Sequence, residues 1–165
     1  MEDSYVLQLL KPKFKDFYLC FCGFAECEPL HSYGPATRPN YILHYVMKGK
    51  GIYQVGETKY HLKEGQAFLI EPESLTFYQA DKKDPWSYLW VGFGGTEAQR
   101  FVKDLGLNSR QLTCECKYGE ELKGIVFEML QHTHSTAENL YYLQGKLYQF
   151  FSVLARGIEI QQYAD

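Results

Sequence analysis

Three large aromatic side chains recur at every second position of one segment, where Trp86, Tyr88 and Trp90 lie within the stretch 86–93. Side chains two residues apart on a β-strand point to the same face, so the three rings would share one face. A buried indole N–H or phenol O–H needs a hydrogen-bond partner, which makes such a row a poor choice for a dry core. The row instead suits a pocket for a flat ligand with a hydroxylated rim, such as a sugar ring. The alternative, that the rings only fill the interior of the fold, stays open.

Further polar side chains near this row complete a candidate binding site. Tyr78 belongs to the preceding predicted strand. Arg38 comes just before the first long predicted strand, where its guanidinium offers a planar fork of donors, and His44 lies on that strand. The predicted ligand-binding residues are therefore Arg38, His44, Tyr78, Tyr88 and Trp90. The predicted ligand is a small carbohydrate, either a mono- or an oligosaccharide.

The cysteines are not spaced like the ligands of a metal site. There are five of them, which is an odd number, so complete internal pairing is excluded. Cys20 and Cys22 form one Cys-x-Cys pair and Cys114 and Cys116 form another, whereas zinc sites usually place two or more residues between paired cysteines. We therefore expect reduced thiols that pack as small apolar side chains, and no bound metal.

No sequence motif for catalysis is visible either. Only His44 and His61 fall on predicted strands, they are widely separated, and no His-x-His pair accompanies them. A Gly-x-Ser-x-Gly elbow, a glycine-rich phosphate loop and a His-Glu-x-x-His helix are all missing from the sequence. We predict a protein that is not an enzyme and carries no cofactor. An enzyme acting on a small carbohydrate and a dimerisation module with a non-functional barrel remain as alternatives.

Length and charge exclude several classes of protein. The chain has 165 residues, which is the size of one ordinary domain and enough to bury roughly 70% of the unfolded surface. A net charge of −3 does not indicate a nucleic-acid-binding surface. No stretch approaches the ~20 apolar residues that a membrane span requires, and Glu2 and Asp3 occupy the place of a positively charged signal region. We expect a cytoplasmic protein without membrane contact.

Residues 20–95 alternate short apolar runs with turns rich in glycine, proline and charged residues. The runs are Tyr41–Met47, Ile52–Val55, Lys59–Leu62, Gln66–Ile70, Thr76–Ala80 and Trp86–Phe93. Strands repeated at intervals of about ten residues are typical of antiparallel sandwiches and barrels. We predict a mainly β fold, a cupin-like antiparallel β-barrel of the jelly-roll type, followed by two or three α-helices.

The apolar spacing changes to steps of three and four after residue 95, which predicts helices over 96–105, 118–132 and 135–162. The last helix carries a nearly heptad series of apolar residues: Leu140, Leu143, Leu147, Phe150, Leu154 and Ile158. Such a series can pair the helices of two copies, so these residues are the predicted homodimer contacts. Packing of the helix against its own sheet is the alternative that the same spacing allows.

Many spaced residues of the first half also match one family. The matching segments are Cys22–Gly23, His31–Pro35, Arg38–Val46, Gly49–Gly51, Gly65–Pro72, Tyr78–Asp81 and Asp84–Gly95. Together they resemble the N-terminal domain of AraC-type transcriptional regulators, especially the sugar-operon regulators of Gram-positive bacteria. The match is strong over about residues 20–95 and weak over the helical part.

This resemblance implies an N-terminal arm over residues 1–19, an effector-binding barrel over 20–95 and a helical dimerisation region over 96–165. It also implies a C-terminal helix-turn-helix module that contacts DNA. We expect DNA binding only through that module, which this chain does not contain, so the chain is expected to be an isolated regulatory domain. In the arabinose-responsive member, Trp90 corresponds to the Trp that stacks on the sugar and Tyr78 to a pocket Tyr. Tyr88 replaces a His, which implies an effector other than arabinose.

Overall fold

The computed structural model describes residues 3–9 and 13–159, which contain ten β-strands and three α-helices. The strands are β1 (Asp3–Gln8), β2 (Tyr18–Glu26), β3 (Ser32–Ala36), β4 (Tyr41–Lys48), β5 (Lys50–Val55), β6 (Thr58–Lys63), β7 (Gln66–Ile70), β8 (Thr76–Ala80), β9 (Ser87–Gly94) and β10 (Thr113–Glu115). The helices are α1 (Ala98–Asp104), α2 (Gly119–Leu130) and α3 (Ala137–Leu154). The mainly β fold with C-terminal helices that the sequence predicts is confirmed.

The strands form two antiparallel sheets. One sheet has six strands in the order β1-β2-β9-β4-β7-β10, and the other has four in the order β3-β8-β5-β6. Strands β7 and β8 lie exactly where the apolar runs 66–70 and 76–80 place them, because a Glu-Pro-Glu turn separates two short apolar segments there.

Aromatic side chains fill the space between the two sheets. Phe68 of the six-stranded sheet stacks on Tyr53 of the four-stranded sheet, with ring centroids 4.6 Å apart. The Tyr53 hydroxyl donates a buried hydrogen bond of 2.7 Å to the Leu69 carbonyl on the opposite sheet. Trp86 lies just before β9 and is completely buried against Phe68 and Gly51, where a side chain larger than hydrogen would meet the indole. Several of the large aromatic side chains therefore belong to the core.

The helices cover the outer face of the six-stranded sheet. Side chains alternate along β9, so that Leu89, Val91 and Phe93 face outward while Tyr88 and Trp90 face inward. Phe93 packs edge-on against Phe151 of α3, at a centroid distance of 5.0 Å. Below this contact, the buried Gln144 side chain of α3 donates a 2.6 Å hydrogen bond to the Phe17 carbonyl, which fixes the helix to the chain entering β2.

The apolar series of α3 is explained by packing within the chain. Four of its members are buried with no second chain present: Leu143, Leu147, Phe150 and Leu154. Leu140 is half-buried, and Ile158 lies beyond the helix and is exposed. The four buried side chains therefore cannot also form a contact between two copies in this conformation. The helix ends at Leu154, well before the predicted residue 162, and Gly157 follows with a left-handed φ of 86°.

Two strands lie outside residues 20–95, the range of the predicted barrel. Residues 3–8 of the predicted N-terminal arm form β1, which pairs with β2 over six residues from Asp3 opposite Glu26 to Gln8 opposite Phe21. Within the predicted helical region, β10 pairs with β7 and extends the six-stranded sheet. Three residues are too few to show a periodic pattern, so the sequence gives no signal for β10. Among the described residues, no helix is both long and apolar enough to cross a membrane.

Candidate functional site

All five predicted ligand-binding residues line one cavity at the open end of the two sheets. This space, which we call the aromatic cavity, has a volume of about 310 Å³. It is lined by Val6, Gln8, Phe21, His31, Tyr33, Arg38, Ile42, His44, Tyr78, Tyr88 and Trp90. Its size is at the lower end of the ~300–1,000 Å³ that small-molecule sites usually have.

Strand pairing explains how distant residues meet there. His44 on β4 lies directly opposite Trp90 on β9, and Tyr88 precedes Trp90 by two residues on the same face. Tyr78 comes from β8 in the other sheet, and its ring centroid lies 4.8 Å from that of His44. The inward-facing row of β9 thus forms one wall of the aromatic cavity and Tyr78 forms part of the opposite wall.

Of the three rings of Trp86, Tyr88 and Trp90, that of Trp90 is the most accessible. Tyr88 is 5% exposed, whereas Trp90 is partly exposed at the aromatic cavity. The two rings meet edge to face, at 82° and 5.7 Å between centroids, which holds the indole in a fixed orientation. A fixed and partly open indole is able to stack against the apolar face of a flat ligand.

His44 is the most deeply buried titratable group of the site. Its ring stacks on Phe68 at 4.6 Å and also contacts Tyr78 and Tyr88. Burial, with a smaller contribution from the nearby Arg38 charge, lowers the pKa of His44 from 6.5 to about 3, so the imidazole is neutral at pH 7. Its Nδ1 atom is buried and has no hydrogen-bond partner among the described residues. A buried polar atom without a partner lowers the stability of the fold.

Arg38 brings the only permanent charge among the described residues that line the aromatic cavity. Its guanidinium carbon lies 5.1 Å from the centroid of Tyr33 and 5.6 Å from that of Phe21, and it forms no ion pair with a described residue. No described residue that lines the aromatic cavity carries a carboxylate. Burial raises the pKa of the Tyr78 phenol, which therefore stays protonated and can both donate and accept. Hydrogen bonding to neutral oxygen atoms is the chemistry that this set of groups supports.

Six residues of the aromatic cavity were not predicted from the sequence: Val6, Gln8, Phe21, His31, Tyr33 and Ile42. Val6 and Gln8 enter because residues 3–8 form an edge strand next to β2. Tyr33 lies opposite Tyr78 across the β3–β8 pair, and no local sequence pattern indicates that these two distant strands pair. Phe21 covers Gly92, where a Cβ atom would lie 2.4 Å from its ring, and that relation depends on strand register alone.

The described residues contain no cluster of three or more His, Cys, Asp or Glu side chains that could hold a metal ion. All five cysteines are free thiols. Burial raises the pKa of Cys22 to about 12 and those of Cys20 and Cys114 to about 11, so these three thiols are protonated at neutral pH and are poor nucleophiles and metal ligands.

The neutral state of His44 makes the stability of the protein depend on pH. The unfolded chain binds a proton at His44 below pH 6.5, whereas the folded chain does so only near pH 3, so stability is lost as the pH falls through this window. Between pH 7 and 5 the expected loss from this group is about 2 kcal/mol. Urea unfolding at both pH values should show that His44→Gln removes most of this loss. His61→Gln, at an exposed histidine of β6, should keep it, and equal pH dependence of the two variants would contradict the assignment.

Comparison with known proteins gives one family for most of the chain. Residues 19–151 match the family model described as "AraC-like ligand binding domain". The Msm operon regulatory protein of Streptococcus mutans is 33% identical over 134 residues, which are 80% of this chain and 48% of that protein. The raffinose operon transcriptional regulatory protein RafR of Pediococcus pentosaceus is 37% identical over 75 residues, covering 44% of this chain and 27% of that protein.

A third relative, the lactose operon transcription activator of Staphylococcus xylosus, is 30% identical over 100 residues, or 58% of this chain and 36% of that protein. The chain thus spans about half or less of the length of these relatives. Among solved structures, the protein YhaK of Escherichia coli matches with a TM-score of 0.55 at 14% identity, covering 70% of this chain and 52% of that one. That likeness concerns the fold alone.

Proposed function

The chain belongs to the AraC-like ligand-binding domain family, and from that premise we propose that it is the sugar-sensing domain of a regulator of carbohydrate genes. The observation that carries the proposal is the partly open indole of Trp90, placed within one cavity that also holds His44, Tyr78, Tyr88 and Arg38. Two relatives whose names refer to the raffinose operon and the lactose operon support a carbohydrate as the effector.

A sugar ring fits the groups of the aromatic cavity in a specific way. The C–H face of the ring would lie on Trp90, where removal of apolar surface from water provides the main driving force. Its hydroxyl groups would exchange hydrogen bonds with the protonated phenol of Tyr78, with the Tyr88 hydroxyl, with the neutral His44 imidazole and with the Arg38 guanidinium.

The aromatic cavity fits ligand binding better than catalysis. A general base works best with a pKa near the operating pH, whereas the pKa of His44 is about 3. We therefore propose a domain that is not an enzyme and needs no cofactor. Since a transcription regulator acts beside DNA, we place the protein in the cytoplasm. Its DNA contacts would come from a C-terminal module outside the residues of this chain.

The experiment for the sugar proposal is calorimetry of the purified chain with a panel of neutral sugars. The panel contains arabinose, galactose, glucose, sucrose, lactose and raffinose. We expect one of them to bind with a Kd in the micromolar range and arabinose to bind weakly or not at all. No binding heat from any member, with a folded protein shown by circular dichroism, would contradict the proposal.

We also propose that two copies associate through the C-terminal helices. The exposed face of α3 carries Tyr141 and Tyr148, which are 62% and 49% exposed, with Gly145 between them in open space. Two large aromatic side chains seven residues apart form a stripe along the helix that a second copy could cover. Dimerisation would then use this face, and the buried apolar residues of α3 would hold the helix to its own sheet.

The dimer proposal is tested by sedimentation of the chain at micromolar concentration. The expected mass is twice that of one chain, and the double substitution of Tyr141 and Tyr148 by Lys should reduce it to one chain while the fold is kept. Replacing the exposed Glu138 and Gln149 of the same helix by Lys serves as a control for added charge. A wild-type mass of one chain, or a dimer unaffected by the tyrosine substitutions, would refute the assignment of this face.

A further inference from the structure

A second cavity adjoins the aromatic cavity and shares one wall with it. We call it the adjoining cavity, and its volume is also about 310 Å³. Three residues, Gln8, Phe21 and Arg38, line both spaces. The Arg38 guanidinium therefore lies at the boundary between two neighbouring compartments, from which donors on its planar fork can reach both.

The inward-facing row of β9 continues beneath two of the rings that line the adjoining cavity, those of Phe21 and Tyr18. After Trp90, this row reads Gly92 and Gly94, opposite Phe21 and Tyr18 of β2. A Cβ atom on Gly92 would lie 2.4 Å from the Phe21 ring, and one on Gly94 would lie 3.0 Å from the Tyr18 hydroxyl. The two glycines are thus the positions where rings from β2 lie over the strand, so aromatic surface continues from Trp90 towards the adjoining cavity.

An irregularity in β2 enlarges this wall. The register with β9 shifts between Leu19 and Phe21, which gives β2 one extra residue. Tyr18, Cys20 and Phe21 all line the adjoining cavity, although strict alternation would send neighbouring side chains to opposite faces. Bulges of this kind re-aim side chains beside binding sites.

Polar groups without partners border the same aromatic rings. The side-chain amides of Gln8 and Asn40 line the adjoining cavity and make no hydrogen bond with another described residue. An amide both donates and accepts, which is what a hydroxyl group on a ligand requires. The adjoining cavity therefore repeats the chemistry of the aromatic cavity, with ring faces on one side and neutral hydrogen-bonding groups at the rim.

We propose that the adjoining cavity is a second sugar subsite, so that the effector is an oligosaccharide of at least two rings that extends past Arg38. This inference rests on the proposed sugar-binding function and narrows its ligand from a mono- or oligosaccharide to an oligosaccharide. One ring lies on Trp90 and the next lies over Tyr18 and Phe21, with its hydroxyl groups at Asn40 and Gln8. A glycosidic link makes the second contact intramolecular, which raises affinity without a second loss of translational freedom.

The test compares sugars of increasing length on the full 165-residue chain. Two neutral series serve as probes: galactose, melibiose and raffinose, and glucose, maltose and maltotriose. We expect, in the series that binds, a Kd at least tenfold lower for the disaccharide than for the monosaccharide, including the case where the monosaccharide gives no measurable heat. Disaccharide and monosaccharide Kd values within twofold of each other overturn the second subsite and leave the proposed function intact. Absence of binding by every probe overturns both.

Variants at Asn40 locate the second ring. Asn40→Ala should raise the disaccharide Kd about fivefold, and Asn40→Phe, which places a ring in the adjoining cavity, should raise it at least tenfold. Gln99→Ala, at an exposed amide of α1 that lines neither cavity, is the matched control and should bind like the wild type. Melting temperatures within about 3 °C of the wild type show that the fold is kept. A disaccharide Kd that neither Asn40 variant changes would overturn the assignment of this cavity.

Discussion

A Trp90→Ala variant should bind its sugar about 30- to 100-fold more weakly than the wild type while remaining folded. Burying an aromatic side chain against a ligand stabilises the complex by roughly 2–3 kcal/mol, and each 1.4 kcal/mol corresponds to a tenfold change in Kd. Trp90 is already partly exposed, so its truncation leaves no closed void in the core. The loss should therefore appear in binding and only weakly in stability.

Calorimetry and fluorescence together measure this effect. The chain has two tryptophans, and Trp86 is completely buried, so a Trp86→Phe variant leaves Trp90 as the only indole that reports. Its emission should shift on addition of the sugar that gives binding heat. Leu75→Ala, at an exposed apolar residue that lines neither cavity, is the control and should bind normally. Normal sugar binding by Trp90→Ala would show that the indole does not contact the sugar.

Leu147→Ala should lower the free energy of unfolding by about 3–4 kcal/mol, because a fully buried leucine cut to alanine loses its transfer energy and leaves a cavity. For a domain of this size, such a change lowers the Tm by roughly 10 °C. Urea or thermal unfolding of the wild type and the variant provides the measurement.

The matched control for Leu147→Ala is Gln149→Ala, at an exposed residue two positions further along α3, which should change stability by less than about 1 kcal/mol. A similarly small change at Leu147 would mean that α3 does not dock on the six-stranded sheet as described. The same burial means that a charge at Leu147 tests folding, so a test of dimerisation has to use the exposed tyrosines.

The sequence predicts those residues of the aromatic cavity that follow a periodic pattern or have a side chain suited to binding a sugar. Tyr88 and Trp90 share a face because alternation on a strand is strict, and the structure brings both to one cavity with His44, Tyr78 and Arg38. The third ring of the row, Trp86, lies outside the cavity. Trp86 precedes β9 and is buried against Gly51 of the opposite sheet. Alternation along the strand does not show which of the three rings the opposite sheet covers.

The parts that the sequence does not predict depend on contacts between distant segments. The apolar spacing of α3 is the same for a helix that packs on its own sheet and for one that pairs with another copy. Its contacts with Phe17 and Phe93, which are far away in the sequence, decide between the two. The adjoining cavity depends on the register shift in β2 and on its pairing with Gly92 and Gly94. No local sequence pattern in β2 predicts its register with β9.

The most direct test of sugar recognition is a crystal structure of the chain with the sugar that binds most tightly in calorimetry. We expect one ring stacked on Trp90, with hydroxyl groups in hydrogen-bonding distance of at least two of the side chains of His44, Tyr78, Tyr88 and Arg38. Sugar bound elsewhere on the protein, with the Trp90 face in contact only with water, would contradict sugar recognition at the aromatic cavity.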